Sequence, residues 1–491
     1  MMDTNKGYVA FVGAGPGDIG LMTDKGMECL RKADVVLYDR LANPRLLRYT
    51  KNECAFIYCG KLPNNHIMRQ EKINQTLITE SLKGKYVVRL KGGDPSVFGR
   101  VGEEAEAIAA YNIPFEIVPG ITSSIAASSY AGIPVTHRDY STSFTIRTGH
   151  KCKKNEELAC EPKQEATGET LAYYMGVQGL PTICKQLKAQ GYSHDTMAAV
   201  IEWGTLGKQR VVEGTLSTIV EKITAAEIKN PALTIVGDVV KLRSSIAWFE
   251  KKPFYQRKLL VAKSSSAESS LEKFFTSNGA EAYAFPALMT IPHSYTNEEL
   301  QLIMNTDRVI FASSAGVDIV FSQLFKAGYD IRDFPRRLEY LSDKTRQELE
   351  KRGLRGARAG FDKSSAVLIG DRRLLTESTF SDNLHVFPSH TTEIDTRYHE
   401  INERLLTEDN WETVVFPNKQ SIDVFLQEWT KYSDRDPKEM SFAAMGPSVK
   451  KYALQMGFRR IDEQVQQELD KKEWMRDHEW MQLYTLDMAA L

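Results

Sequence analysis

The sequence contains no run of about 18 apolar residues, the length a helix needs to cross a bilayer, so no membrane-spanning helix is expected. It also lacks a dominant sign of charge: 63 lysines and arginines stand against 64 aspartates and glutamates, a net charge of −1. That balance argues against duplex nucleic acid or an anionic membrane as a bulk partner, since both select for a strong basic excess, but it leaves room for a local basic pocket. Cysteine is scarce and one-sided. All six, Cys29, Cys54, Cys59, Cys152, Cys160 and Cys184, lie in the first two-fifths of the chain, and none sits in a CxxC or Cys/His pattern. They read as small buried apolar groups or free thiols, so neither a disulfide nor a metal is expected. The opening residues, MMDTNK, carry no apolar core of a secretory signal, and the expected location is the cytoplasm.

What is present is ordinary globular material, 42% hydrophobic and 26% charged over 491 residues. That length suggests three or four compact lobes, large enough to fold without covalent staples. The first half alternates strand and helix signals. Apolar runs at 8–12, 34–38, 85–90 and 115–120 read as strands, and Thr23 is placed to cap a helix carrying Met27, Leu30 and Ala33. Continuous apolar strands alternating with helices predict a mostly parallel sheet covered on both faces. A charged, aperiodic stretch at about 150–168 reads as a loop between two lobes. Strands at 170–175, 197–202 and 233–237, with a helix near 180–190, form a second α/β lobe. A linker at 249–254 precedes a fresh strand at 258–262. Further on, 308–314 and 413–419 look alike: each is a strand, a polar turn and then an apolar helix, which predicts two similar lobes. The segment 461–491 reads as a helical end.

Three strand ends carry small residues. The first is Gly13-Ala14-Gly15-Pro16-Gly17-Asp18, with Asp39 ending the next strand about twenty residues later, a spacing that mimics a dinucleotide site. The third glycine of that fingerprint would fall at Asp18, however, and Pro16 removes an N–H that a pyrophosphate would use. The second loop is RLKGGDPSVFGR at 89–100, where Asp94 could accept hydrogen bonds from a ribose or an ammonium. The third, VPGITSS at 118–124, supplies hydroxyls. Loops of this kind can line one cleft at the carboxyl edge of a sheet. Arg138-Asp139 reads either as an ion pair closing a lobe junction or as part of the site. Met175 reads as core or as a ligand contact, and Lys61 as a surface lysine or a functional one.

These segments, together with VLYDRL at 36–41, YAGIPVTHRDY at 130–140, YMG at 174–176, EWGT at 202–205, QRVV at 209–212 and PAL at 231–233, resemble the uroporphyrinogen-III C-methyltransferases of the tetrapyrrole methylase superfamily. The resemblance spans residues 7–250, with lobes at about 7–140 and 165–250. It implies two S-adenosylmethionine-dependent methylations, at C2 and C7 of uroporphyrinogen III, that give precorrin-2 and S-adenosylhomocysteine. It implies cofactor contacts from Pro16, Gly92, Gly93, Asp94, Val97, Thr122, Ser123, Met175, Gly204 and Ala232. Asp39 takes the place of the family's proton acceptor, Lys61 that of its proton donor, and Arg100 that of a substrate-contacting arginine. The resemblance also implies a homodimer formed through this half. Because the substrate is a polycarboxylate, Arg40 and Arg138 join Arg100 as candidate binding residues.

Residues 256–491 resemble uroporphyrinogen-III synthase, which closes hydroxymethylbilane with inversion of ring D. The segments concerned are 309–317, 416–425 and AMGPSV at 444–449. Departures are the missing glycine in LSDKT at 341–345, FPN at 416–418, and phenylalanine in VFPS at 386–389 where a tyrosine is common. The expected architecture is thus α/β, a two-lobed tetrapyrrole methylase followed by a two-lobed α/β synthase-like domain. The second half is expected either to be an active synthase or to be a tetrapyrrole-binding or assembly domain. The competing reading of the whole, a nicotinamide-dependent oxidoreductase, rests on Gly13, Gly15 and Asp39 alone.

Overall fold

The computed structural model describes residues 6–60, 69–149, 168–335, 337–360, 364–376 and 384–471. The chain divides into two compact units, Met1–Arg257 with Phe275–Glu281, and Lys258–Phe274 with Ala282–Leu491.

The first lobe of the first unit is built on β1 (Tyr8–Gly13), β2 (Val35–Tyr38), β3 (Ala55–Tyr58), β4 (Tyr86–Lys91) and β5 (Phe115–Val118). They form an all-parallel sheet in the order β3-β2-β4-β1-β5. Parallel strands need long crossovers, and helices α1 (Asp24–Lys32), α2 (Gln70–Leu82) and α3 (Val101–Ala109) lie in the connecting segments, while α4 (Ser123–Tyr130) follows β5 and leads to the second lobe. Thr23 caps α1 by accepting from Gly26 N, as its position predicted. Helix α2 buries Ile73, Leu77 and Ile78, and α3 buries Val101, Ala105 and Ile108, in one core with Val9, Phe11, Leu37 and Val87. Burying a side chain such as Leu77 contributes about 2–3 kcal/mol, so the strand centres are fixed by apolar burial on both faces.

The second lobe contains β6 (Ser143–Thr148), β7 (Glu169–Tyr174), β8 (Met197–Glu202), β9 (Arg210–Thr215) and β10 (Ala232–Val236), ordered β6-β7-β10-β8-β9. Only β6 and β7 are parallel; β10 pairs antiparallel with β7 and β8, and β8 antiparallel with β9. The connection from β8 to β9 runs from 203 to 209, too short for the crossover a parallel pair requires, which dictates a turn-back.

The second unit carries β11 (Lys258–Ala262), β12 (Glu281–Phe285), β13 (Leu288–Pro292), β14 (Arg308–Phe311), β15 (Arg337–Tyr340), β16 (Ala357–Arg358), β17 (Ala366–Asp371), β18 (Leu384–Ile394), β19 (Thr413–Phe416) and β20 (Ser441–Ala444). One sheet runs β12-β11-β19-β20 and the other β13-β18-β17-β14-β15-β16. The chain enters the second sheet along β13 and leaves it along β18, and these two strands pair antiparallel. The two similar segments are a strand into a capped helix in each sheet: β14 into Ser314–Lys326, capped by Ser313, and β19 into Lys419–Trp429, capped by Asn418. The last described helix covers Glu463–Lys471, and residues 472–491 of the segment 461–491 lie outside the described residues.

Candidate active site

Strands β4, β1 and β5 are consecutive in the first sheet, so the three glycine-bearing loops that follow them sit side by side at its carboxyl edge. From β1 the chain moves to one side of the sheet, and from β4 to β5 it crosses to the other. The crevice between β4 and β1 is therefore the topological switch point, where open α/β sheets receive ligands.

The loops are stitched together through their backbones. Gly93 N donates to Gly15 O at 2.7 Å and Gly15 N to Gly93 O at 3.2 Å. A Cβ on Gly13 would stand 2.5 Å from Gly120 N and 2.8 Å from Gly93 O, so the residue must be glycine for the loops to meet. Asp94 holds the assembly from the side: Oδ1 accepts from Ser96 N at 2.7 Å and Oδ2 from Gly120 N at 3.0 Å. Its carboxylate thus already serves the loops, with lone pairs remaining for a ligand.

The second lobe closes over this cradle. Tyr174 Oη shares a 2.5 Å hydrogen bond with Thr122 Oγ1 and accepts from Ser124 N at 2.7 Å. Phe98 and Met175 are each 44% exposed despite their apolar side chains, and the Phe98 ring lies 5.3 Å from that of Tyr174. Phe98, Arg100, Met175, Trp203 and Thr205 all adopt positive φ, a conformation uncommon for non-glycine residues, and together they make up five of the eight such residues described. Gly204 lies against Ala127 of α4, and Ala232 opens β10 opposite Glu202. Asp18 stands where a dinucleotide fingerprint has its third glycine and ties the lobes: its N–H donates to Thr205 Oγ1 of the second lobe at 3.1 Å, while its Oδ2 accepts from Tyr130 Oη of α4 at 2.7 Å.

Asp39 follows β2 and pairs with Arg89, whose Nη2 donates to Oδ1 at 2.6 Å. Arg89 Nε also reaches Glu104 Oε1 at 3.3 Å, and Lys91 Nζ reaches the same oxygen at 2.9 Å. Burial opposes the charge on Arg89, but Asp39 and Glu104 outweigh it and hold the guanidinium firmly protonated. Lys91 is pulled below its usual value by burial and by Arg89, against the attraction of Glu104. Burial also pushes the Cys59 thiol up to about 11.

Among the remaining residues picked out by sequence, Pro16, Val97 and Ser123 are partly buried on the three loops, while Arg40 and Arg100 are exposed near them. Arg100 precedes α3 with φ 59° and pairs with Glu103 at 2.6 Å. Arg138 is exposed, and the ion pair with Asp139 expected at a lobe junction is not formed: Asp139 N instead donates to His137 Nδ1 at 3.1 Å within a tight turn. Lys61 lies outside the described residues, as do Cys152 and Cys160. Sequence reading does not single out Arg89, Lys91, Glu104, Phe98 or Tyr174, which the fold brings to the site. The available signal was the pair of cations two residues apart in an apolar strand, which must share one face.

This donor set does not suit a diphosphate. Pro16 offers no N–H, and Arg89 and Lys91 are already matched by Asp39 and Glu104. Close backbone approach, hydroxyls and exposed apolar side chains suit a nucleoside bearing a small polar chain.

A parallel lobe with three interleaved strand-end loops, closed by a mixed second lobe, defines a tetrapyrrole methylase. The profile of the family Tetrapyrrole (Corrin/Porphyrin) Methylases matches residues 8–220. A Bacillus subtilis (strain 168) relative, "Uroporphyrinogen-III C-methyltransferase", is 42% identical over 426 residues, covering 86% of this chain and 87% of its own. The "Porphyrin biosynthesis protein HemD" of Ruminiclostridium josui is 40% identical over 331 residues, 66% of this chain and 65% of its own. A crystal structure of the Thermus thermophilus uroporphyrin-III C-methyl transferase complexed with S-adenyl homocysteine is 36% identical, with a TM-score of 0.41, over 48% of this chain and 100% of that one. The chain belongs to the uroporphyrinogen-III C-methyltransferase family. Among the described residues no helix is long and apolar enough to cross a membrane.

Proposed function

We propose that the first unit methylates uroporphyrinogen III at C2 and C7, with S-adenosylmethionine as donor, giving precorrin-2 for sirohaem or cobalamin synthesis. One juxtaposition carries the reading: a carboxylate, Asp39, stands at the end of β2 beside a glycine cradle built at the ends of β4, β1 and β5. S-adenosylmethionine supplies a methyl group on a sulfonium that is already electrophilic, so the chain's task is alignment. The backbone at Gly92, Gly93, Thr122, Ser123 and Gly204 holds the donor, with Pro16, Val97, Met175 and Ala232 against its faces and Asp94 keeping the loops in register.

The pyrrole carbon that accepts a methyl group leaves the ring cationic until a proton departs. Asp39 stabilises that charge and takes the proton, one for each methyl group transferred, and passes it to solvent; Lys61 stands as the candidate proton donor. Arg40, Arg100 and Arg138 meet the carboxylates of the substrate. The expected homodimer and its formation through this unit are checked by light scattering of the whole chain and of an isolated first unit.

The second unit, in this reading, closes hydroxymethylbilane to uroporphyrinogen III. The support is a set of capped helix N-termini at the carboxyl ends of parallel strands, at Ser313, Ser342 and Asn418, suited to a polyanion. The alternative is a domain that binds tetrapyrrole or mediates assembly without turnover. One assay separates them. The purified chain is given hydroxymethylbilane and S-adenosylmethionine, and products are followed by absorbance and mass. A dimethylated product of the type III isomer without added synthase supports both activities, because hydroxymethylbilane left alone closes to the type I isomer. Product only from supplied uroporphyrinogen III leaves the methyltransferase and removes the synthase. No methylation from either substrate overturns the reading of the first unit.

A further inference from the structure

We propose that Arg89, set in place by Glu104, is a positioning residue for methyl transfer, fixing the Asp39 carboxylate so that one of its oxygens is held for the substrate. This deepens the reading above and rests on Asp39 being the proton acceptor. The guanidinium has three fixed points: Asp39 Oδ1 at 2.6 Å from Nη2, Glu104 Oε1 at 3.3 Å from Nε, and Leu90 O at 3.4 Å from Nη1. A planar fork tied at three points cannot rotate, so it transmits the position of Glu104 on α3 to Asp39 after β2. Glu104 is tied in turn by Lys91 Nζ at 2.9 Å and by Gln70 Nε2 of α2 at 3.0 Å.

The network is sealed except at one end. The side chains of Glu104, Arg89 and Lys91 are 0%, 3% and 5% exposed, whereas that of Asp39 is 32% exposed. A group of two cations and two carboxylates buried only for stability could be replaced by apolar side chains without loss, because desolvation offsets most of its attraction. Its placement says more. Arg89 and Lys91 end β4 immediately before Gly92 and Gly93, so one strand carries both the donor cradle and the anchor of the acceptor carboxylate. Asp39 uses Oδ1 on Arg89, and among the described residues Oδ2 has no hydrogen-bond partner.

The test is a double-mutant cycle on the full chain, using uroporphyrinogen III and S-adenosylmethionine, with S-adenosylhomocysteine affinity measured by calorimetry. Arg89→Lys keeps the charge and loses the fork. It is expected to lower kcat about 10- to 100-fold, the scale of an ångström of misplacement, with KM and S-adenosylhomocysteine affinity within about twofold of wild type. In the Asp39→Ala background the same change should cost nothing further. Glu104→Gln, of the same shape, is the second variant should Arg89→Lys fail to fold, and its smaller loss should likewise vanish without Asp39. A loss that persists at full size in the Asp39→Ala background, or an Arg89→Lys enzyme with wild-type kcat, overturns the positioning role alone. Wild-type turnover by Asp39→Ala itself has a different signature: it removes the acceptor role of Asp39, and the positioning role with it.

Discussion

Replacing Gly13 with alanine tests the cradle directly. The added Cβ would lie 2.5 Å from Gly120 N, 2.6 Å from Gly120 Cα and 2.8 Å from Gly93 O. Ordinary contact between such atoms is about 3.5 Å, so the loops after β1 and β5 must separate by roughly 1 Å. Every clashing atom is backbone, so no side-chain rotation relieves the overlap. Overpacking of this kind costs about 1–3 kcal/mol of stability. A displacement of that size at a positioning loop costs about 100-fold in rate. Gly13→Ala should therefore fold with a lower Tm, bind S-adenosylhomocysteine at least about tenfold more weakly, and lose methyl transfer. Gly102→Ala, on α3, is the matched control: its Cβ would meet nothing within 4 Å, and it should keep binding and gain up to about 1 kcal/mol. Calorimetry and thermal melts of both variants decide the matter. If Gly13→Ala binds S-adenosylhomocysteine like the wild type, the close approach of these loops is not what makes the donor site.

Asp39→Ala should lower turnover about 100-fold or more while leaving S-adenosylhomocysteine affinity nearly unchanged; loss of both together would make the residue structural. In the second unit, burial holds the His390 imidazole below its usual value, opposed by Asp371 and reinforced by His293. The unfolded chain then takes up a proton near pH 6.5 that the folded chain refuses, so this contribution is full above about pH 6.5 and is lost as pH falls below it. His390→Gln should lessen the fall in urea midpoint between pH 7.5 and 5.5, and an unchanged fall would refute the assignment. Cys29, Cys54, Cys59 and Cys184 are buried, and Cys59 is pushed up to about 11, so iodoacetamide at pH 8 should leave these four unmodified in the native protein. Peptide mapping before and after denaturation gives the answer.

The elements that could be read from sequence were those whose physics is local. The strands Met197–Glu202 and Lys258–Ala262 are apolar runs with a single charge at one end, and both form as expected. β18 was not legible: its sequence LHVFPSHTTEI mixes polar and apolar residues without a clean period and contains Pro388, its register against β17 shifts at Gly370/Asp371, and only its pairing with β13 and β17 makes it a strand. The antiparallel core of the second lobe was hidden for a similar reason, since direction depends on connection length rather than on residue type. At the site, the glycines announced a close backbone approach. The Arg89–Glu104 pair did not announce itself, because it joins a strand to a helix 15 residues away through a register that only the folded lobe fixes. Arg138 and Asp139 misled because neighbours in sequence, held in a turn, need not face each other.

The cradle draws Gly13, Gly93 and Gly120 from three strands and borrows Tyr174 from the other lobe. No short fragment of the first unit can contain it. On the proposed assignment of this cradle as the donor site, donor affinity is an all-or-none gauge of assembly: a nascent or nicked chain would read as empty until both sheets have formed. A ligand present at about 100 times its Kd would add about 2.7 kcal/mol to the finished unit and nothing to its parts. In a cell, the supply of methyl donor would then help determine how much of this chain survives proteolysis.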